Sequence, residues 1–191
     1  MEKDRRIRKV VFRILMISGF CLLGISCHYH AMIGKSDLKT ISQECIEESG
    51  TEKIIKNGDY SLILREGDEG FAVFLQNGKG IVGSQELPAW ITVRGSDTLP
   101  TGEYIETDYK QPYYQVIRKK YGFCATASVN TEKGSVFIVE DKYTLLKDGV
   151  FGIYRDVKVK EARVEDVGFA STISFQTGIR SSDNNDFEYF I

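Results

Sequence analysis

The chain has 191 residues, of which 42% are hydrophobic and 12% aromatic, which is enough for one domain with a real core and excludes global disorder. Its net charge is −2, but residues 1–26 carry six of the 25 Lys and Arg residues and only two of the 27 Asp and Glu residues, so residues 27–191 carry a net charge of −6. An acidic remainder argues against nucleic-acid binding, which needs a concentrated basic surface.

The first 26 residues have the build of a bacterial secretory signal peptide. Six basic residues within residues 1–13 precede an uncharged apolar run at residues 14–25. This run of about 12 residues is too short to span a bilayer, which takes roughly 20 residues of helix. The sequence therefore predicts a processed signal at residues 1–26 and an exported product.

The residues around Cys27 indicate how the signal would be processed. The segment Gly24-Ile25-Ser26-Cys27 resembles the lipobox of bacterial lipoproteins, although Gly24 stands where leucine is commonest. The resemblance implies that Cys27 receives the lipid and that the protein is attached to a membrane of the cell envelope. Gly24 and Ser26 also satisfy the spacing for ordinary signal cleavage, so a secreted product is the alternative, and an uncleaved membrane anchor is a third.

Residues 27–55 are interpreted as a tether. His28 and His30 could in principle ligate a metal, but no Cys, His or acidic cluster accompanies them, so neither a metal nor another cofactor is predicted. Residues 36–49 favour a short helix that ends at Gly50, and a first edge strand is the alternative.

Two cysteines, Cys45 and Cys124, remain for the exported part of the chain. In an oxidising compartment they could form a disulfide, whose loop of about 80 residues would stabilise the fold by roughly 4 kcal/mol. Cys124 lies in an apolar run, so the alternative is that both are small buried hydrophobic residues.

Residues 56–180 read as one all-β domain, followed by a tail at residues 181–191. About eleven short strands are separated by turn residues, without any long helical pattern. The strands are predicted at residues 60–64, 71–76, 81–82, 89–94, 104–107, 113–119, 123–129, 136–140, 143–146, 150–160 and 168–176. This spacing is typical of an antiparallel two-sheet β-sandwich, with a closed β-barrel as the alternative, and predicts that the last four strands form a meander.

The strand at residues 150–160 has the clearest pattern. The parity that contains Phe151, Ile153 and Val157 is largely apolar, whereas the other parity is largely polar, which predicts a half-buried strand. The glycine and aspartate of residues 147–149 favour a tight hairpin turn before it.

The sequence does not predict a catalytic residue. Residues 78–83 match Gly-x-Gly-x-x-Gly, but no helix follows them, so they are interpreted as a hairpin turn. Both histidines lie in the tether, so the domain lacks a base for a Ser or Cys nucleophile. Carboxylates for glycoside hydrolysis are present, but no stretch of sequence would raise their pKa. They are Glu103, Glu106, Asp108, Asp156, Glu165 and Asp166.

Three aromatic residues are candidates for glycan contact, because a flat ring can stack on the apolar face of a sugar. They are Trp90, Tyr113 and Tyr114. A single Trp at the start of a strand is more often a core residue, which is the alternative for Trp90.

Residues 143–175 resemble the amino-terminal β-sandwich of bacterial glycosidases that carry a six-hairpin helical barrel, and residues 185–191 resemble the link that follows it. The resemblance covers residues 55–191 and implies a non-catalytic scaffold whose partner is a missing catalytic domain. The apolar residues Phe187, Tyr189, Phe190 and Ile191 favour a chain truncated at that point. The alternative is an intact surface lipoprotein that binds a glycan or a protein partner.

Overall fold

The computed structural model describes residues 43–78, 80–146 and 150–176. Twelve strands and one short 3-10 helix, Gln43–Cys45, make up this part of the chain. The strands are β1 (Ile46–Ser49), β2 (Glu52–Asn57), β3 (Tyr60–Gly67), β4 (Gly70–Asn77), β5 (Gly80–Gln85), β6 (Ala89–Thr98), β7 (Tyr104–Gln111), β8 (Gln115–Lys119), β9 (Gly122–Asn130), β10 (Val136–Leu145), β11 (Phe151–Glu161) and β12 (Asp166–Thr172).

The strands form three antiparallel sheets. The first sheet has the order β1-β2-β3-β4-β5, the second has the order β11-β10-β9-β8, and the third has the order β12-β6-β7. The predicted antiparallel all-β sandwich is confirmed, and the sheets of the described residues do not close into a barrel. The strands are divided among three sheets rather than two.

The second sheet packs against both of the others. Its strands β8 and β10 contact β4 and β2 of the first sheet, and β9 contacts β6 and β7 of the third sheet. All three sheets contribute to one hydrophobic core. Buried residues alternate along β6, where Ala89, Ile91 and Val93 face the core, and along the second half of β9, where Ala127 and Val129 do. The first four residues of β9 are all buried.

After the 3-10 helix Gln43–Cys45, the chain continues as strand β1, whereas the sequence favoured a helix that ends at Gly50. Ile46 pairs with Ile55 of β2 and is buried, whereas the other residues of β1 are exposed. The edge-strand alternative, made for residues 36–49, is therefore correct at residues 46–49. Residues 36–42 lie outside the described residues. Strand β2 was not predicted from the sequence, because Ile54 and Ile55 are adjacent and do not alternate with polar residues.

Two strands predicted at residues 136–140 and 143–146 are one continuous strand, β10. In the sequence, the consecutive charged residues Asp141 and Lys142 suggest the end of one strand and the start of another. In the structure Asp141 is buried against Arg155, and Lys142 points to the exposed face, so the alternation continues through both residues.

The predicted four-strand meander is wrong at its last strand, because β12 leaves the second sheet and pairs with β6 of the third sheet. Three hydrogen bonds hold the connection between β11 and β12. The Ser96 N–H donates to the Glu165 carbonyl at 2.7 Å, the Arg163 N–H donates to Ser135 Oγ at 2.9 Å, and Thr131 Oγ1 donates to Asp166 Oδ2 at 2.8 Å. These bonds direct the chain from the second sheet, which contains β11, to the third sheet, which contains β12.

The loop that matched the Gly-x-Gly-x-x-Gly pattern is part of the β4–β5 hairpin, in which Asn77 pairs with Gly80, so the predicted hairpin is confirmed. Cys45 and Cys124 are both free thiols, and Cys124 is buried. The disulfide is therefore not formed, and the interpretation of Cys124 as a small buried residue is confirmed.

Several predictions concern residues outside those that the structure describes. These are the signal at residues 1–26, the lipidation of Cys27, the pair His28 and His30, the turn at residues 147–149 and the tail at residues 181–191. Within residues 43–78, 80–146 and 150–176, no helix is long and apolar enough to cross a membrane.

Candidate functional site

The second sheet carries a buried polar cluster. It consists of Asp141 and Tyr143 on β10, Arg155 on β11, and Tyr113 just before β8. Arg155 binds both oxygens of Asp141, with Nε 2.7 Å from Oδ1 and Nη2 2.5 Å from Oδ2. The Tyr113 hydroxyl donates a short hydrogen bond to Asp141 Oδ2 and lies 2.6 Å from the Tyr143 hydroxyl. Since Tyr113 has only one proton to donate, Tyr143 donates to Tyr113.

Arg155 also connects this cluster to the third sheet. Its Nη2 donates to the Pro88 carbonyl at 2.7 Å, and its Nη1 donates to the Thr172 carbonyl at 2.5 Å. A longer bond of 3.3 Å reaches Ser171 Oγ. Pro88 precedes β6 and Thr172 ends β12, so one guanidinium holds two neighbouring strands of the third sheet against the second sheet.

The ionisation behaviour of the cluster follows from its burial. Burial raises the pKa of Tyr113 and Tyr143 above the ordinary tyrosine value, and the charge of Asp141 raises both further. Burial alone would lower the pKa of Arg155, but the hydrogen bonds and charge of Asp141 outweigh it, so this pKa is raised. Because Asp141 is 0% exposed and Arg155 retains its charge, we assign the cluster a structural role.

An exposed arrangement of side chains lies on the outer face of the third sheet. Ile91 and Val93 of β6 point into the core, so the residues between and beside them point outward. Three outward residues of β6 each pair with a residue of β7, and we name this set the Trp90 ladder. Its pairs are Trp90 with Lys110, Thr92 with Asp108, and Arg94 with Glu106.

The first pair of the ladder is an aromatic ring with a cation over it. Trp90 is partly exposed, and Lys110 Nζ lies 3.6 Å from the centroid of its ring. The same Nζ is 3.9 Å from Asp108 Oδ2. The buried Trp90 Nε1 has no partner of hydrogen-bonding geometry among the described residues, although its N–H is close enough to Asp108 to affect that carboxylate.

The other two pairs are polar. Thr92 Oγ1 donates to Asp108 Oδ1 at 2.7 Å, and this bond, followed by the effect of the Trp90 N–H and the charge of Lys110, lowers the pKa of Asp108. Arg94 Nη2 lies 3.0 Å from Glu106 Oε1, and the Arg94 guanidinium lies 5.2 Å from the centre of the Tyr104 ring. Each carboxylate of the ladder therefore has a cation beside it, and Asp108 also accepts the Thr92 hydrogen bond.

The neighbouring strand β12 adds only small side chains to this face. Gly168 pairs with Arg94, Ala170 with Thr92, and Thr172 with Trp90. The outer face therefore has a row of large side chains on β6 and β7, and a lower surface of small side chains on β12 beside it.

The structure separates the three aromatic candidates. Trp90 lies on the exposed ladder. Tyr113 is 0% exposed and bonded within the buried cluster, so its prediction as a glycan contact is wrong. Tyr114 is 60% exposed, but its N–H donates to the Thr126 carbonyl of β9, which places it beside the second sheet and not on the ladder.

The ladder partners of Trp90 were not identified from the sequence as a group, although Glu106 and Asp108 were noted as carboxylates. A glycosidase acid needs a raised pKa, and Asp108 has a lowered one, so the ladder is better suited to binding than to proton transfer. Within the part of the chain that the structure describes, no group of three or more His, Cys, Asp or Glu residues could hold a metal ion.

Comparison of the chain with protein-family models, with curated proteins and with solved structures found no match.

Proposed function

We propose that this chain is an exported, lipid-anchored, non-catalytic β-sandwich protein that binds a glycan through the Trp90 ladder. The observation that supports this proposal is the position of Trp90 on an open sheet face, in line with hydrogen-bonding side chains. An indole ring offers an apolar surface to the C–H groups of a pyranose. The adjacent Asp, Glu, Arg and Thr side chains offer acceptors and donors to its hydroxyl groups, and bonds to charged partners are the stronger ones.

The shape of the face also supports a chain-like ligand. The small residues Gly168, Ala170 and Thr172 leave space beside the large side chains of β6, so an extended molecule can lie along the strand without displacing backbone. An open face of this kind suits an end-on or mid-chain contact with a polymer better than enclosure of a small metabolite, which favours a concave pocket.

The test uses the full chain in detergent and a panel of oligosaccharides. We expect Trp90→Ala to abolish binding, because the substitution removes the stacking surface. Tyr114→Ala is the matched control, because it removes an aromatic ring that is 60% exposed outside the ladder. Binding that survives Trp90→Ala, or a panel without any ligand, would overturn the proposal.

The membrane part of the proposal rests on the signal-like residues 1–26 and on the lipobox-like segment that ends at Cys27. We expect Cys27→Ser to release the protein from the membrane fraction of cells that export it. Cys45→Ser is the control, because Cys45 is partly buried and packs against the hydrophobic core. Unchanged fractionation of Cys27→Ser would contradict lipid anchoring.

A second candidate function is that of a scaffold for a glycosidase catalytic domain, as the resemblance of residues 143–175 implies. It is favoured by exposed apolar residues around the β11–β12 connection. These residues are Val159 (46% exposed), Val164 (87%), Val167 (51%) and Phe169 (46%). Phe169 packs on Phe137 with ring centroids 4.9 Å apart, so part of this surface continues from the core.

The scaffold function predicts that glycosidase activity co-purifies with the full chain from its native cells and is lost in Val164→Asp. Ile117→Asp is the control, since Ile117 is a 44% exposed apolar residue on β8. Activity that is absent from the wild-type preparation, or retained by Val164→Asp, would contradict the scaffold function.

A further inference from the structure

Lys110 occupies the position that a bound sugar would need. Its ammonium lies over the centre of the Trp90 ring at 3.6 Å, so a pyranose cannot stack on that side of the indole until Lys110 moves. A cation over an exposed ring contributes only about a two- to five-fold change in an equilibrium constant. The obstruction is therefore weak enough to be removed by a ligand.

The displaced ammonium already has another partner. Asp108 Oδ2 is 3.9 Å from Lys110 Nζ, whereas Oδ1 of the same carboxylate is engaged by Thr92. A rotation of the lysine side chain would bring Nζ from the ring to Oδ2. The charge of Lys110 would then remain neutralised while the ring becomes free.

The charges of the ladder indicate which kind of sugar it would accept. Its two cations, Arg94 and Lys110, are each paired with a carboxylate, Glu106 and Asp108 respectively. An acidic sugar would have to compete with these carboxylates for the cations and would experience their repulsion. An uncharged sugar meets neither obstacle, since its hydroxyl groups can bridge a carboxylate and a cation together.

The ladder also sets a minimum length for the ligand. Trp90 and Arg94 are four residues apart on one strand, which corresponds to about 14 Å at ~3.4 Å per residue. One pyranose ring cannot contact both, whereas a short oligosaccharide that lies along β6 can.

We infer that Lys110 is a displaceable cap on Trp90 and that the Trp90 ladder selects an uncharged oligosaccharide over an acidic one. This inference rests on the proposed glycan binding. It adds the ligand class and the residue that controls access to the ring.

The experiment uses the fluorescence of Trp90, which is the single tryptophan of the chain. The full chain in detergent is titrated with uncharged cello-, xylo- and manno-oligosaccharides and with acidic oligogalacturonides. Wild-type protein is compared with Lys110→Ala and Lys110→Arg. We expect Lys110→Ala to bind an uncharged oligosaccharide about two- to five-fold more tightly, because the cap is absent. Lys110→Arg retains a cation over the ring and should not show this gain.

The outcomes separate the inference from the function on which it rests. Binding of acidic sugars in preference to uncharged ones, abolished by Trp90→Ala, would leave glycan binding intact and overturn the inference. Unchanged or weakened binding by Lys110→Ala would also overturn it, since a cap that obstructs the ring must improve binding when removed. No response to any sugar would overturn the glycan-binding function itself.

Discussion

Arg155 and Asp141 form a two-point ion pair across β10 and β11, and both side chains are withdrawn from solvent, with exposures of 7% and 0%. Asp141 also accepts a hydrogen bond from the Tyr113 hydroxyl, and Arg155 also donates to the backbone carbonyls of Pro88 and Thr172. It therefore connects the two layers of the sandwich at a place where apolar packing alone would be expected.

Breaking this pair should destabilise the fold. We expect Arg155→Met to lower the free energy of unfolding by about 3–5 kcal/mol, because the substitution leaves the Asp141 carboxylate buried without its cation. Urea denaturation would measure the change. The double variant Asp141→Leu with Arg155→Met should be less destabilised than the single variant, since it leaves no buried charge. A double variant that is no more stable than the single one would contradict this account.

Alkaline pH should destabilise the protein through Tyr113 and Tyr143. Their pKa values are raised in the folded state, mainly by burial, so above pH ~10 the unfolded chain loses protons that the folded chain keeps. Stability is then lost as pH rises, with a slope of about 1.4 kcal/mol per pH unit for each tyrosine.

Measurement of unfolding from about pH 9 to about pH 11, one unit on either side of the ordinary tyrosine pKa of ~10, tests this slope. Tyr143→Phe should have a shallower slope than the wild type, because one of the two groups is removed. Tyr114→Phe, at an exposed position, should leave the slope unchanged. Equal slopes in wild type and Tyr143→Phe would show that the buried tyrosines do not control the alkaline limit.

Gly122 should not tolerate a side chain. A Cβ atom at this position would collide with the backbone carbonyl of Tyr143 on the paired strand. We expect Gly122→Ala to destabilise the fold by about 3 kcal/mol or more, because backbone cannot move aside as a flexible side chain can. Gly168→Ala is the control, since nothing lies within 4 Å of its Cβ position. Similar thermal stability of the two variants would contradict the close approach of β9 and β10.

The two described cysteines should differ in reactivity. Burial, followed by the charge of Glu140, raises the pKa of Cys124, so little thiolate is present near neutral pH. Cys45 is partly exposed. We expect iodoacetamide to modify Cys45 faster than Cys124 in the folded protein, as measured by mass spectrometry of the two peptides. Denaturant should remove most of the difference, and a disulfide-linked peptide containing both residues would disprove the free-thiol arrangement.

Much of the fold could be predicted from local sequence. The hairpins of the first sheet are visible because short alternating runs are separated by glycine-containing turns, as at Gly67–Gly70 and Asn77–Gly80. The inward parity of β11 was also correct from Phe151 to Val157. Val159 departs from it with 46% exposure, because it lies near the end of an edge strand.

The candidate site was only partly predictable. Trp90 was identified because a flat ring is a plausible sugar contact in any sequence. The position of Trp90 beside Lys110 depends on the register of β6 against β7. That register is not constant along the two strands, because it shifts between Arg94 and Thr98. A shift of one residue would place Lys110 on the opposite face, and no local pattern determines that register.

The sequence by itself determined the all-β class, the positions of most strands and the apolar parity of β11. These properties follow from the two-residue period of a strand and from turn residues, both of which act over short distances. The tertiary structure alone decided that Asp141 and Tyr113 are buried, that β12 pairs with β6, and that Lys110 covers Trp90. Each of these depends on a partner in another strand, which no local pattern specifies. Asp141, for example, is buried only because the opposite charge of Arg155 meets it there.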